Sequence, residues 1–214
     1  MKENDPVILT WGELFKSWRA WCLIAFCLLA LSIIIFYLPS FYNDVIGPKH
    51  GILIHDVVLN LFTPVNWSVP TFTIIYLSIL QTFFSIVRKP QEILIALSTY
   101  LAVNLLRMVA MYALTFEPPA DTILLVDPVT SHFYPSGGFA KDLFFSGHIS
   151  TMTLMILLEK NRVLRIVKIC GAVVVALFLV WQHVHYSLDI LVAPFVTIGV
   201  YTSIRFFLKP AFRG

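Results

Sequence analysis

Charged residues make up only 13% of this 214-residue chain, too few to cover a water-soluble domain of that size. Cysteine is scarce as well. Cys22, Cys27 and Cys170 fall inside apolar stretches with no CxxC spacing, which excludes a disulfide framework or a cysteine metal site and leaves small buried hydrophobes. The net charge of +3 is too small for a nucleic-acid-binding surface. Repeats, low-complexity tracts and linkers are lacking, so the chain reads as one domain. A cleavable signal peptide is not evident either. The first apolar run begins near Ala20 and is longer than an h-region, so it is expected to stay as a signal anchor.

What is present is apolar side chain, 58% of the residues. Such a surplus faces a bilayer. Searching for about 20 mostly apolar residues per span gives candidates at 20–38, 70–87, 92–115, 143–159, 163–182 and 186–208. Backbone groups in lipid must bond within their own segment, so these spans are expected to be α-helices. Pro39 follows the first span, Pro70 opens the second, Pro90 separates second from third, and Pro118 and Pro119 close the third. Pro194 lies inside the sixth and predicts a kink there. Residues 1–19 carry Trp11, Phe15 and Trp18 at helical spacing beside Lys16 and Arg19, the pattern of an amphipathic interfacial helix. The apolar middle of loop 39–69, Gly51 to Phe62, predicts a second, short interfacial helix. The expected fold is therefore all-α: an interfacial segment 1–19 and a six-helix transmembrane catalytic domain 20–214.

Basic residues orient this arrangement. Of 15 Lys and Arg, 12 fall on one side of the six-span topology, Lys49 and Lys141 fall opposite, and Arg107 lies within a helix. The positive-inside rule then puts both termini in the cytoplasm. The same topology puts His50, His55, His132, His148, His183 and His185 at or beyond the exoplasmic end. The shortness of the chain outside the spans leans toward a bacterial inner membrane.

Two histidine motifs carry candidate chemistry. Phe144-Phe145-Ser146-Gly147-His148 opens the fourth span. Ser146 suits a helix N-cap, Gly147 permits close approach of a ligand, and a helix N-terminus favours an anion such as phosphate. In His183-Val184-His185-Tyr186-Ser187-Leu188-Asp189, His185 and Asp189 are spaced i, i+4 on one helix face. A carboxylate fixing one imidazole nitrogen leaves the other as a nucleophile. His183 reads as an interfacial side chain. Arg107, buried in the third span with Asn104 and Met111 on its face, needs an anion, either Asp189 or a substrate phosphate.

These motifs resemble a known family. Asp142-Leu-Phe-Phe-Ser-Gly-His148 followed by His185-Tyr-Ser-Leu-Asp189 is similar to the paired D-x-L-x-S-G-H and H-Y-[ST]-x-D motifs of the sphingomyelin synthase branch of the lipid phosphatase and phosphotransferase (type 2 phosphatidic acid phosphatase, PAP2) superfamily. Arg107-x-x-x-Met111-Tyr112, with Thr115 and Pro118-Pro119, is similar to that branch's R-x-x-x-M-Y-x-T-x-x-P stretch. The resemblance covers roughly residues 95–205, about half the chain. It implies a six-helix PAP2-like bundle with a metal-independent and cofactor-free triad. His185 would attack a phospholipid phosphorus to form a phosphohistidine, with Asp189 orienting it. His148 would protonate the leaving alcohol and then deprotonate the acceptor, ceramide or a diacylglycerol-like lipid alcohol. Arg107, Ser146, Gly147 and Lys141 would hold the phosphate, with Asp142, Tyr112 and Tyr186 in support. The K-x6-R-P motif of the wider superfamily is not matched: Gln81 stands seven residues before Arg88-Lys89-Pro90, where the lysine would be. Three readings remain open: a lipid phosphotransferase, a PAP2-type phosphatase or phosphodiesterase with water as acceptor, and a non-enzymatic transporter or lipid-binding scaffold.

Overall fold

The computed structural model describes residues 11–119, 121–129 and 140–211. His132, and the first ten residues of the expected interfacial segment, lie outside them. The regular elements among the described residues are all helices, with one isolated bridge between Ile52 and Phe116. The helices are α1 (Trp11–Lys16), α2 (Trp18–Phe41), α3 (Ser68–Ile86), α4 (Pro90–Ala113), α5 (Gly147–Leu158), α6 (Arg162–Trp181) and α7 (Ser187–Ala211). Five of them, α2, α3, α4, α6 and α7, are long and apolar enough to cross a membrane. The protein is a helical, polytopic membrane protein.

The sixth expected span differs. Segment 143–159 contributes only the 12 residues of α5, about 18 Å of helix against a hydrocarbon core of about 30 Å. Ser146 precedes it, its own backbone extended at φ −60° and ψ 119° and its hydroxyl accepting from the Ile149 N–H. α5 is nonetheless the centre of the bundle. It contacts α3, α4, α6 and α7, and Ile149, Met152 and Leu154 are buried in the apolar core between them. A turn of three residues, 159–161, joins α5 to the 20-residue α6. Running back alongside α6, α5 therefore stops about 12 Å short of the other's far end.

α2 lies at the edge, packed on α4 through Cys27, Ile34 and Leu101. Its remaining face, including Leu29, Ile33 and Phe36, is exposed, as lipid contact requires. Pro39 does not stop this helix, which continues to Phe41 and a π turn at Tyr42–Ile46. A membrane helix tolerates proline where neighbouring groups take up the freed carbonyls. α7 likewise continues through Pro194.

Two expected interfacial helices are altered by docking. The N-terminal one breaks at Ser17, which caps α2, and the Trp11 indole N–H donates to the Val87 carbonyl at 2.9 Å. The stretch Gly51 to Phe62 forms only a single 3-10 turn at Leu59–Leu61. Its backbone is satisfied elsewhere: Ile52 exchanges bonds with Thr115 and Glu117, and the His183 Nε2 lies 3.1 Å from both the Leu59 and Phe62 carbonyls. Bonds of this kind to the bundle compete with the local i→i−4 bonds that a helix would need.

Candidate active site

The two histidine motifs meet at the inner end of the gap that α5 leaves. The His148 and His185 rings lie 5.9 Å apart, centroid to centroid. Phe72, one turn inside α3, presents its ring to His148 edge-on at 5.6 Å. Backbone bonds set this meeting: the Ser146 N–H donates to the Asp189 carbonyl at 3.3 Å, so the start of α5 is tied to the start of α7. His185 is 2% exposed and Asp189 fully buried, with Nδ1 and Oδ2 3.6 Å apart. That is ion-pair range rather than a hydrogen bond. Oδ2 instead accepts from the Tyr186 N–H at 3.0 Å, which fixes the carboxylate.

Arg107 closes the third side. Sequence offered Asp189 or a substrate as its counter-ion. The structure pairs its Nη2 with Asp142, six residues before His148, and sets Nη1 3.4 Å from Asn104 Oδ1. The guanidinium lies against the first residue of α5. A Cβ on Gly147 would come within 3.0 Å of the Arg107 Cζ, Nη1 and Nη2. The glycine of the Ser-Gly-His motif is thus what admits the arginine. Arg107 stands six residues, about 9 Å, inside the end of α4.

The polar atoms here are incompletely paired. Arg107 Nε, Asp142 Oδ1, His148 Nδ1, His185 Nδ1 and Asp189 Oδ1 are buried with no hydrogen-bond partner among the described residues. Buried polar groups are normally satisfied, so five unsatisfied ones in one recess mark a place shaped for a polar ligand. The mixed set of donors, imidazoles and a fixed carboxylate suits an anion that must be bound and then attacked. Among the described residues, no three His, Cys, Asp or Glu side chains are grouped as a metal site.

Other expected residues are placed differently. Lys141 directs its ammonium to the Gly47 and Lys49 carbonyls and to Glu117, at 3.2, 2.6 and 3.0 Å. It straps three loop segments together rather than joining the histidines. The Glu117 carboxyl is held below its usual value by the Gly51 N–H and the Lys141 ammonium. Tyr112 is exposed, its ring under the Lys49 ammonium at 3.4 Å. Tyr186 is buried and its hydroxyl donates to the Glu117 carbonyl at 2.8 Å. Ser146 is fully buried and serves as the N-cap of α5.

Two supporting residues, Asp56 and Gln182, gave no sequence signal, and a third, His183, expected as an interfacial side chain, is buried. Asp56 accepts from the Ser187 N–H at 2.6 Å and so caps α7 from another segment. Gln182 accepts from the Trp67 N–H and donates to Ser68 Oγ and to the Ile123 and Leu124 carbonyls. His183, at φ 58°, turns the chain out of α6 and toward His185. Each reaches a segment more than 50 positions away, with Gln182 and Trp67 separated by 115.

Residues 141–206 match the family model described as PAP2 superfamily C-terminal. No curated protein matches the chain. The matched segment runs from Lys141 through both histidine motifs to Phe206 within α7, and supports membership of the PAP2 superfamily.

Proposed function

We propose that the protein is an integral-membrane lipid phosphotransferase that moves a phospho-head-group from a glycerophospholipid to ceramide or a similar lipid alcohol. The observation that carries this reading is the convergence of His148, His185, Asp189 and Arg107 on one recess with unpaired polar atoms. In the first step a His185 nitrogen forms a bond to phosphorus and the bond from phosphorus to the lipid oxygen breaks. His148 gives its proton to the departing alkoxide, releasing diacylglycerol. In the second step His148 takes the proton of the acceptor hydroxyl, whose oxygen bonds to phosphorus as the P–N bond breaks. Arg107 and the first-turn amides of α5 offset the charge that builds on the phosphoryl oxygens.

The recessed position of α5 favours a lipid over water as acceptor. A site whose arginine stands about 9 Å inside the end of α4 is reached from the side by lipids more readily than from above. By the charge distribution along the chain, this site faces the exoplasmic side. The test offers purified protein in liposomes a mixture of phosphatidylcholine, phosphatidylethanolamine, phosphatidylglycerol and phosphatidylinositol, with and without ceramide, read by mass spectrometry. The expected result is a phospho-ceramide and diacylglycerol formed together and lost in His185→Ala. Equal diacylglycerol without ceramide would make water the acceptor. Equal activity in His185→Ala would leave a non-catalytic membrane protein.

A further inference from the structure

Glu117 follows the end of α4 and belongs to neither histidine motif, yet it is bonded beside both. Its N–H donates to the Ile52 carbonyl at 3.1 Å. Its carbonyl accepts from the Tyr186 hydroxyl at 2.8 Å. Its Oε1 accepts from the Gly51 N–H at 2.7 Å and from the Lys141 ammonium at 3.0 Å. Two of these partners stand next to site residues in the chain. Tyr186 follows His185, and Lys141 precedes Asp142, the carboxylate paired with Arg107. The fit is close, since a Cβ on Gly51 would meet the Glu117 nitrogen at 2.7 Å.

The two branches depend on different atoms. The Tyr186 branch runs through a backbone carbonyl and survives loss of the side chain. The Lys141 branch runs through the carboxylate. An ammonium has three hydrogens, and Lys141 directs them to the Gly47 carbonyl, the Lys49 carbonyl and Glu117. Of these three acceptors only Glu117 is charged, and a charge-assisted bond is roughly twice as strong as a neutral one. The Lys141 side chain is 15% exposed, so water offers it little in exchange. Its backbone is fixed as well, its N–H donating to the Tyr42 hydroxyl at 2.9 Å. The next residue, Asp142, has no partner for Oδ1 among the described residues. Its place is therefore set by Arg107 and by the chain leading out of Lys141. Freeing the lysine loosens the carboxylate, and with it the guanidinium.

Resting on the phosphotransfer reading above, we infer that Glu117 is a positioning residue, whose carboxylate acts through Lys141 and Asp142 to fix where the Arg107 guanidinium meets the phosphate. It works at one remove from the reacting atoms and transfers no proton.

The test follows diacylglycerol released in the first turnover by full-length protein. The liposomes contain phosphatidylcholine, phosphatidylethanolamine, phosphatidylglycerol and phosphatidylinositol, without ceramide. The amplitude counts intact sites, and the rate reads the transfer to His185. Glu117→Gln keeps the size of the side chain and an oxygen for the Gly51 N–H. It is expected to slow the first turnover on the order of tenfold at unchanged amplitude, a part of the roughly 100-fold that a 1 Å misplacement costs. Lys141→Met should slow it by the same factor, and the double variant by no more than either single change, because both cut one path. An unchanged rate in Glu117→Gln would overturn the inference, as would losses that multiply in the double variant. A smaller amplitude at unchanged rate would overturn it too, because Glu117 would then only hold the fold. If wild-type protein shows no His185-dependent release, the phosphotransfer reading fails and the positioning role with it. If that release is present and Glu117→Gln matches it, only the positioning role is wrong.

Discussion

Gly147→Ala adds one methyl group at the start of α5, and its cost falls on one partner. The new Cβ would lie within 3.0 Å of the Arg107 guanidinium carbon and both terminal nitrogens, where ordinary contact begins near 3.5 Å. The guanidinium is the free end of a flexible side chain, so it retreats by roughly 1 Å and loses its fit to Asp142 and Asn104. Displacing a group that positions a reacting phosphate by that much costs on the order of 100-fold in rate, or about 2.7 kcal/mol. Stability should hold, because alanine is the better helix former by up to about 1 kcal/mol. The assay is His185-dependent diacylglycerol release in liposomes, with thermal unfolding in detergent as its companion. Activity within about threefold of wild type would refute the assignment of Arg107 to the phosphate. A parallel loss of folding would refute it too, since the bundle rather than the arginine would then have absorbed the clash.

Asp189→Asn keeps a side-chain oxygen for the Tyr186 N–H but removes the charge beside His185. Turnover is expected to fall roughly 10²- to 10⁴-fold with little change in melting temperature, and a fall of less than about tenfold would take Asp189 out of the triad. Gln182→Leu strips partners from Trp67, Ser68, Ile123 and Leu124 in a fully buried position. It should cost about 2–4 kcal/mol of unfolding free energy in detergent denaturation. The Glu159 carboxyl tests linkage at the far end of α5. Burial alone would raise it, but the Asn161 N–H, the Lys168 ammonium and the Gln81 amide together pull it down to about 2, below the usual value of about 4.3. A carboxyl lowered on folding contributes stability that is full above about pH 4.3 and lost as pH falls through about 2. Melting curves of wild type and Glu159→Gln should therefore run parallel from about pH 7 to 5 and converge as the wild type alone weakens below about pH 4.

The helical membrane class was legible in the sequence because lipid leaves the backbone no other way to bond itself, so apolar length alone located α2, α3, α4, α6 and α7. The histidine motifs were legible too, since Ser146 as N-cap is a local property of α5; the expected shared helix face of His185 and Asp189 was not formed, because α7 begins at Ser187 and His185 reaches Asp189 from the turn before it. What sequence could not supply was anything dependent on which distant segments touch. Arg107 required an anion by its depth, but only packing decided that Asp142 stands beside it. Lys141 read as a phosphate ligand because it neighbours the motif, yet folding turned its ammonium to Gly47, Lys49 and Glu117. The length of α5 escaped the hydropathy pattern because residues 143–146 are as apolar as the helix after them. Their non-helical course is set by Ser146 capping and by its bond to Asp189. The one-dimensional pattern therefore determined the solvent, the five long helices and the candidate site residues. Their depth and their partners were decided by tertiary contacts, because an unpaired charge or hydrogen-bonding group in a membrane interior is satisfied by whatever the fold brings to it.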